Sequence, residues 1–229
     1  MFNNFRPVWE EVNLDNLAYN MKNIRAKAKS QELFGVVKAD AYGHGAIEVA
    51  PVLLENGATR LAVAVLSEGV ELRKSGIKCP INILGVTPET LFDDVLDYDL
   101  EPVVFNYDYA CKLSKAAEAK NKTVKIHLKV DTGMGRIGFL PNDESVEEAV
   151  KISKISNLEI QGLFSHFSTA DEVDKEYSKY QFEKYNWFLN KLLDNGVKIK
   201  IRDIANSAAI MELPDTHYDG ARPGVILYG

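Results

Sequence analysis

Along the chain, short apolar runs alternate with stretches whose apolar residues recur every three or four positions, a pattern that predicts strands separated by helices. Leu33–Val37 is an apolar run bounded by turn-formers, as expected of a buried parallel strand. Leu61–Val65, Ile81–Leu84, Pro102–Phe105, Val124–Val130, Leu158–Leu163, Ile201–Ala205 and a short Val225–Tyr228 bring the series to eight. Between them, Leu14, Leu17, Met21 and Ile24 have helical spacing, with Asp15 available as a cap. Ala46–Asn56, Ser67–Ser75, Thr87–Leu96, Tyr107–Lys120, Asp143–Ile155 and about Asp174 to Asp194 also read as helices, three of them closed by Gly57, Gly76 and Gly196. Tyr185, Phe188, Leu189 and Leu192 share a face of the longest and belong to the core.

Eight strand signals divided mostly by helices predict an α/β fold, a (β/α)8 barrel in a single domain spanning residues 1–229. The runner-up is an open doubly wound sheet. That fold would carry G-x-G-x-x-G after its first strand, where this chain has Lys38. Composition narrows the partners. A net charge of −6 without a basic stripe argues against nucleic acid. Cys79 and Cys111 have no metal-ligand spacing, so no metal is expected, and they suit a reducing compartment. With no leader pattern at MFNNFRPVWEEV and no apolar run of membrane length, a cytoplasmic protein with no membrane partner is expected.

Chemistry in such a barrel gathers at the C-terminal ends of the strands. Lys38 ends the first strand, on the face of Phe34 and Val36, and opens the glycine-rich loop KADAYGHG. A lysine there either reaches solvent or is desolvated and available to form a Schiff base or take a proton. Asp40 and His44 of that loop are read mainly as structural. Leu84 ends the third strand and could pack against a ring. Along the fifth, His127, Lys129 and Asp131 alternate with Ile126, Leu128 and Val130, so the polar set faces into the barrel, where a buried charge must be paired. DTGMGRIGF then surrounds Arg136 with glycines, leaving the guanidinium free for a carboxylate or phenolate, or paired with Asp131 at a tight turn. His166 follows the sixth strand. Asn206 or Ser207 caps a short helix after the seventh, and Arg222, Gly224 and Val225 lie in ARPGVILYG at the eighth. Phosphate sites in this fold favour the loops of strands seven and eight, so a phosphorylated ligand held at Ser207 and Gly224 is expected to reach toward Lys38. A lysine facing a phosphate-anchored ligand points to pyridoxal phosphate.

VVKADAYGHG, VDTGMGRIGF and ARPGVILYG, in this order across nearly the whole chain, resemble alanine racemase. The resemblance implies a fold-type III barrel that uses pyridoxal 5'-phosphate to interconvert L- and D-alanine for cell-wall synthesis, in a homodimer. It implies that Lys38 holds the cofactor and serves as base on one face of the α-carbon. Tyr42, Ser207, Gly224 and Val225 would bind phosphate, and Leu84, His166 and Asn206 would line the ring. Arg136 would sit near the phenolic oxygen and the substrate carboxylate, and Arg222 would face the pyridine nitrogen. Lys129 resembles the lysine that some members carbamylate. Members of the family continue into a β-rich domain that supplies the opposite-face tyrosine base from the partner subunit. The chain ends before that point, so it is expected to be a barrel domain with weak or no racemase activity, its Val8–Val12 segment pairing with the second domain. A serine or broad-specificity racemase and a single-domain pyridoxal-phosphate carrier are the alternatives. A barrel aldolase would share the lysine but not the other two motifs.

Overall fold

The structure is a computed structural model that describes residues 10–229, and the expectation for Val8–Val12 falls partly outside them. Eight parallel strands are present: β1 (Glu32–Val36), β2 (Arg60–Val63), β3 (Ile81–Ile83), β4 (Val103–Val104), β5 (Val124–Lys129), β6 (Leu158–Phe164), β7 (Ile201–Ala205) and β8 (Gly220–Ala221). They run in the order β3-β2-β1-β8-β7-β6-β5-β4. An isolated parallel bridge, Asn82 to Glu101, joins the ends of that row, with the Ile83 N–H donating to the Glu101 carbonyl at 2.9 Å and the Glu101 N–H to Ile81 at 2.9 Å. The sheet therefore closes on itself, and the open doubly wound alternative is excluded.

The helices are α1 (Leu14–Lys27), α2 (Lys38–Tyr42), α3 (Ala46–Glu55), α4 (Leu66–Lys74), α5 (Phe92–Asp97), α6 (Tyr107–Ala119), α7 (Asp143–Ile152), α8 (Glu176–Asp194), α9 (Ser207–Glu212) and α10 (Val225–Tyr228). Asparagine sets four of their starts: the carboxamide oxygens of Asn13, Asn106, Asn142 and Asn206 accept the amides of Asn16, Tyr109, Ser145 and Ala209 at 3.0, 2.7, 2.9 and 3.1 Å. The cap of α1 is thus Asn13, and Asp15 lies inside its first turn. The expected helix Thr87–Leu96 divides into a 3-10 turn, Glu89–Leu91, and α5.

The eighth strand is displaced from its expected position. Val225–Tyr228 is a helical turn, and the strand is the dipeptide Gly220–Ala221. A four-residue apolar run fits either state, and here Leu227 is fully buried from a helix. The shift matters, because Arg222 and Gly224 now follow β8 and stand at its C-terminal rim.

Two apolar clusters divide the interior. The larger lies between strands and helices and includes Ile126, Leu128 and Val130, the face of β5 expected to meet the helices. The smaller, inside the barrel, holds, among the described residues, Phe34, Val36, Ala62 and Ile201, with Leu84 packed against it. Polar side chains take the remaining interior space: Arg60, Asn82, Glu101, His127, Lys129, Asp203 and Arg222 are all buried. At the N-terminal end, Glu101 accepts from Arg60 at 2.6 Å and pairs with His127 Nε2 at 2.8 Å. Gly162 makes room for that imidazole, since a Cβ there would stand 2.7 Å from His127 Nδ1.

Candidate active site

At the opposite end, the strand termini surround a cavity of about 280 Å³. Its wall includes Lys38, Tyr42, Leu84, Met134, His166, Asn206, Ser207, Arg222, Gly224 and Val225. Every expected site residue except Lys129 and Arg136 is brought to this one cavity. A larger groove of about 1000 Å³ crosses α3, α4 and α5, its wall mixing Val65, Leu66, Val70, Val86 and Leu91 with Glu71, Lys74 and Asp94, and it includes none of the expected site residues.

Lys38 does not simply end a strand. It opens α2, in which Ala39, Asp40, Ala41 and Tyr42 all have φ between 51° and 56°, a left-handed turn made without glycine. Each such residue costs about 1–2 kcal/mol relative to the right-handed form, so contacts around the turn must hold it. The Ala41 amide bonds the Val37 carbonyl at 2.9 Å, and Asp40 Oδ1 accepts the Ala46 amide at 2.7 Å, which confirms a structural use for Asp40. Gly43 ends the turn at φ 90°. The Lys38 ammonium lies 5.6 Å from the centre of the Tyr42 ring, and Lys38 is half-buried rather than enclosed.

The desolvated lysine is Lys129. It is 3% exposed and its nearest oxygen acceptor is its neighbour's carbonyl at 3.4 Å. Burial, reinforced by the charges of Arg222 and Arg136, pulls its pKa down to about 7. The expectation that a charge buried there would be paired fails for a physical reason. Asp131, two residues on, spends both oxygens on the amides of Gly133, Gly135 and Arg136 at 2.9, 3.0 and 2.7 Å. Burial pushes the Asp131 carboxyl up, but these donors and Lys129 outweigh it and hold the carboxyl below its usual range. Arg136 contributes its backbone to that turn while its side chain is exposed, outside the cavity wall. Gly138 lets the turn close, since a Cβ there would stand 2.6 Å from the Asp131 nitrogen.

Arg222 is buried and held from behind. It pairs with Asp203, donates to the Ser165 carbonyl at 2.7 Å and reaches His166 Nδ1 at 3.4 Å, with its guanidinium 5.2 Å from the Phe164 ring centre. The arginine can only donate, so Nδ1 is the acceptor and the imidazole hydrogen sits on Nε2. Burial and the charge of Arg222 push His166 down to about 2, so it is neutral. Asp203 was not singled out from the sequence. The signal was there: in Ile201–Ala205 it is a carboxylate on the inward face of a strand. Among the described residues its second oxygen has no hydrogen-bond partner.

Across the cavity, Ser207 Oγ accepts the Gly224 amide at 3.0 Å, and a Cβ on Gly224 would stand 2.8 Å from Tyr42 Oη and 3.7 Å from Ser207 Oγ. The missing side chain leaves a space lined by two hydroxyls and backbone, the chemistry that suits a phosphate. Burial raises the Tyr42 phenol, keeping it a neutral donor. Asn206 spends its carboxamide oxygen on the start of α9 and its nitrogen reaches the Phe167 carbonyl at 3.4 Å.

The site's class is set by its geometry: a closed parallel barrel with an amine on one side of its C-terminal mouth and a hydroxyl-lined cradle on the other. Residues 12–229 match the family described as alanine racemase, N-terminal domain, and the chain belongs to that family. It is 65% identical over 229 residues to alanine racemase 1 of Clostridium acetobutylicum and 60% identical to the alanine racemase of Clostridium kluyveri. Both matches cover 100% of this chain and 59% of the relative, so the chain spans less than two thirds of their length. Among solved structures it resembles the Clostridium difficile 630 alanine racemase in complex with cycloserine (TM-score 0.96, 44% identity, 98% of this chain and 62% of that one). It also resembles the Bacillus anthracis enzyme with bound L-Ala-P (TM-score 0.90, 35% identity, 98% and 59%). These relatives favour the alanine racemase reading over the serine-racemase and carrier alternatives. Among the described residues, no helix is long and apolar enough to cross a membrane.

Proposed function

We propose that this chain is the pyridoxal-phosphate barrel of an alanine racemase, and that Lys38 is the residue that holds the cofactor and moves a proton on one face of alanine. The observation that carries this reading is the meeting, in one cavity, of Lys38, the Tyr42–Ser207–Gly224 cradle and the Asp203-backed Arg222. When bound, the cofactor supplies an electron sink that acidifies the α-hydrogen of alanine.

The chain's own residues do the rest. Tyr42, Ser207 and the backbone at Gly224 and Val225 anchor the phosphate; Leu84, His166 and Asn206 border the ring. Arg222, fixed by three partners, stays cationic and has no lone pair, so a ring nitrogen set against it is kept unprotonated. The neutral His166 can hydrogen-bond without adding a second charge. Lys129 is suited to carbamylation, because a neutral buried amine can attack carbon dioxide. The N–C bond forms, the amine proton leaves to solvent, and the resulting anion lies among the charges of Arg222 and Arg136. In that form it gives the exposed Arg136 guanidinium a partner near the substrate carboxylate.

The second base, on the opposite face, is assigned to a tyrosine from the C-terminal β domain of the longer family architecture, reaching over from the partner subunit of a homodimer. The two cysteines, Cys79 and Cys111, are unpaired, in keeping with a cytoplasmic protein. The reading is tested by incubating the protein with pyridoxal phosphate and L- or D-alanine in D₂O and following α-deuteration by NMR. Exchange that depends on Lys38 is expected. Exchange that survives Lys38→Ala would refute the assignment.

A further inference from the structure

Glu68 is one of two glutamates on α4, and the helix alone gives it an ordinary task. Val65 precedes the helix and has no side-chain acceptor, so Glu68 Oε2 reaches back to take the amides of Ala64 and Val65 at 2.7 and 3.1 Å. One oxygen suffices for that. The other, Oε1, leaves its own helix and accepts the Ala39 amide at 2.6 Å. Ala39 directly follows Lys38 and is the first of the four left-handed residues.

We propose that Glu68 is a positioning residue for the cofactor lysine: its carboxylate ties the start of the Lys38 turn to the end of β2 and the start of α4. The proposal rests on Lys38 being the cofactor-bearing residue. The far end of the turn has its own restraints, in the Asp40–Ala46 bond and the Gly43 exit. At the Lys38 end, among the described residues, Glu68 is the side chain that bonds the turn's backbone. A left-handed run of ordinary residues persists only where its surroundings over-determine it. Releasing Ala39 lets the backbone relax toward the right-handed form and swings the Lys38 side chain away from the Ser207–Gly224 cradle. Glu68 touches neither cofactor nor substrate and acts through the direction in which Lys38 leaves the backbone.

The test separates clamp from cap. Three variants are compared with the native chain: Glu68→Ala, Glu68→Gln and the double variant Glu68→Ala with Val65→Ser, in which the serine restores a cap to α4 without reaching Ala39. Three quantities are read: thermal midpoint, amide hydrogen exchange at Ala39, and the rate at which pyridoxal phosphate followed by borohydride labels Lys38. Glu68→Ala is expected to slow Lys38 labelling about ten- to a hundredfold and to speed Ala39 exchange. Val65→Ser should recover the midpoint but neither of the other two. Glutamine has one acceptor atom where two are used, so that variant should lose either the midpoint or the Lys38 rate. If the alanine variant does not fold, the glutamine variant decides the matter: its Ala39 exchange and Lys38 rate must be kept together or lost together, and a change in one without the other would overturn the proposal. Unchanged labelling and exchange in Glu68→Ala, or recovery of both by Val65→Ser, would overturn the proposal. Native protein labelled elsewhere than Lys38 would refute the cofactor reading instead, and Ala39 exchange would still decide the clamp.

Discussion

His127 and Lys129 stand two residues apart on β5 and face the same interior, yet they meet opposite conditions. Near the N-terminal end of the barrel, His127 shares Glu101 with Arg60, at 2.8 and 2.6 Å, and Asn82 bonds the Glu101 carbonyl at 3.0 Å. Two residues later, among the described residues, Lys129 has a carbonyl at 3.4 Å and no carboxylate partner, while Asp203 keeps one oxygen unpartnered. The Glu101 cluster is satisfied internally, and the group around Lys129 and Asp203 is not. Polar groups that a fold leaves short of partners are expected where a ligand or a modification completes them.

The sharpest way to break this comparison is to remove the amine at the open end. Lys38→Ala should abolish the borohydride-stable adduct and lower alanine α-exchange by about 10³-fold or more. Its urea midpoint should hardly move, because Lys38 is half-buried and has no carboxylate partner in the described structure. Next in size is Glu101→Ala, which strands His127, leaves Arg60 only its longer pair with Glu32 at 3.5 Å, and should cost about 3 kcal/mol in urea unfolding. The folded fraction should still take cofactor at Lys38. Cofactor loss without destabilisation would put the function at the wrong end.

Lys129→Met tests the open end from the stability side. The Lys129 pKa falls from 10.5 to about 7 on folding, so between those values the unfolded chain binds a proton that the native one does not. That contribution makes native stability rise with pH across the window, with the full penalty present at and below pH 7. In carbon-dioxide-free buffer the variant should be more stable by roughly 2–4 kcal/mol at pH 7, and the gap should shrink toward pH 10. Bicarbonate should erase the gain if Lys129 is carbamylated, with a ¹³C signal from labelled bicarbonate as the direct check. The smallest effect belongs to Gly224→Ala. Its methyl would press on Tyr42 Oη, weakening pyridoxal phosphate about tenfold in a fluorescence titration while the melting temperature stays nearly constant.

Much of this was legible because strands announce themselves twice, as apolar runs and by what ends them. The alternation in Val124–Val130 correctly assigned an inner and an outer face to β5. Val225–Tyr228 misled because four apolar residues carry no period, while the true strand is two small residues with no hydrophobic signature at all. The left-handed turn at Ala39–Tyr42 was invisible for a different reason: its residues have no intrinsic preference for that conformation, and contacts distant in sequence impose it. Glu68 was invisible on the same ground, whereas Asp203 carried a signal of position, an inward-facing carboxylate, but none of its partner. Each matters through a partner, Ala39 or Arg222, that only the closed barrel brings within reach.

Two lysines at the open end could take an aldehyde. Burial pulls the Lys129 pKa down to about 7 but also encloses the amine; Lys38 borders the cavity opposite the Ser207–Gly224 cradle. Reducing the pyridoxal-phosphate complex with borohydride and locating the label by peptide mass spectrometry decides between them. Label on Lys38 alone is the expected result. Label on Lys129, or spread over surface lysines, would contradict the assignment of the open end as a cofactor site built around Lys38.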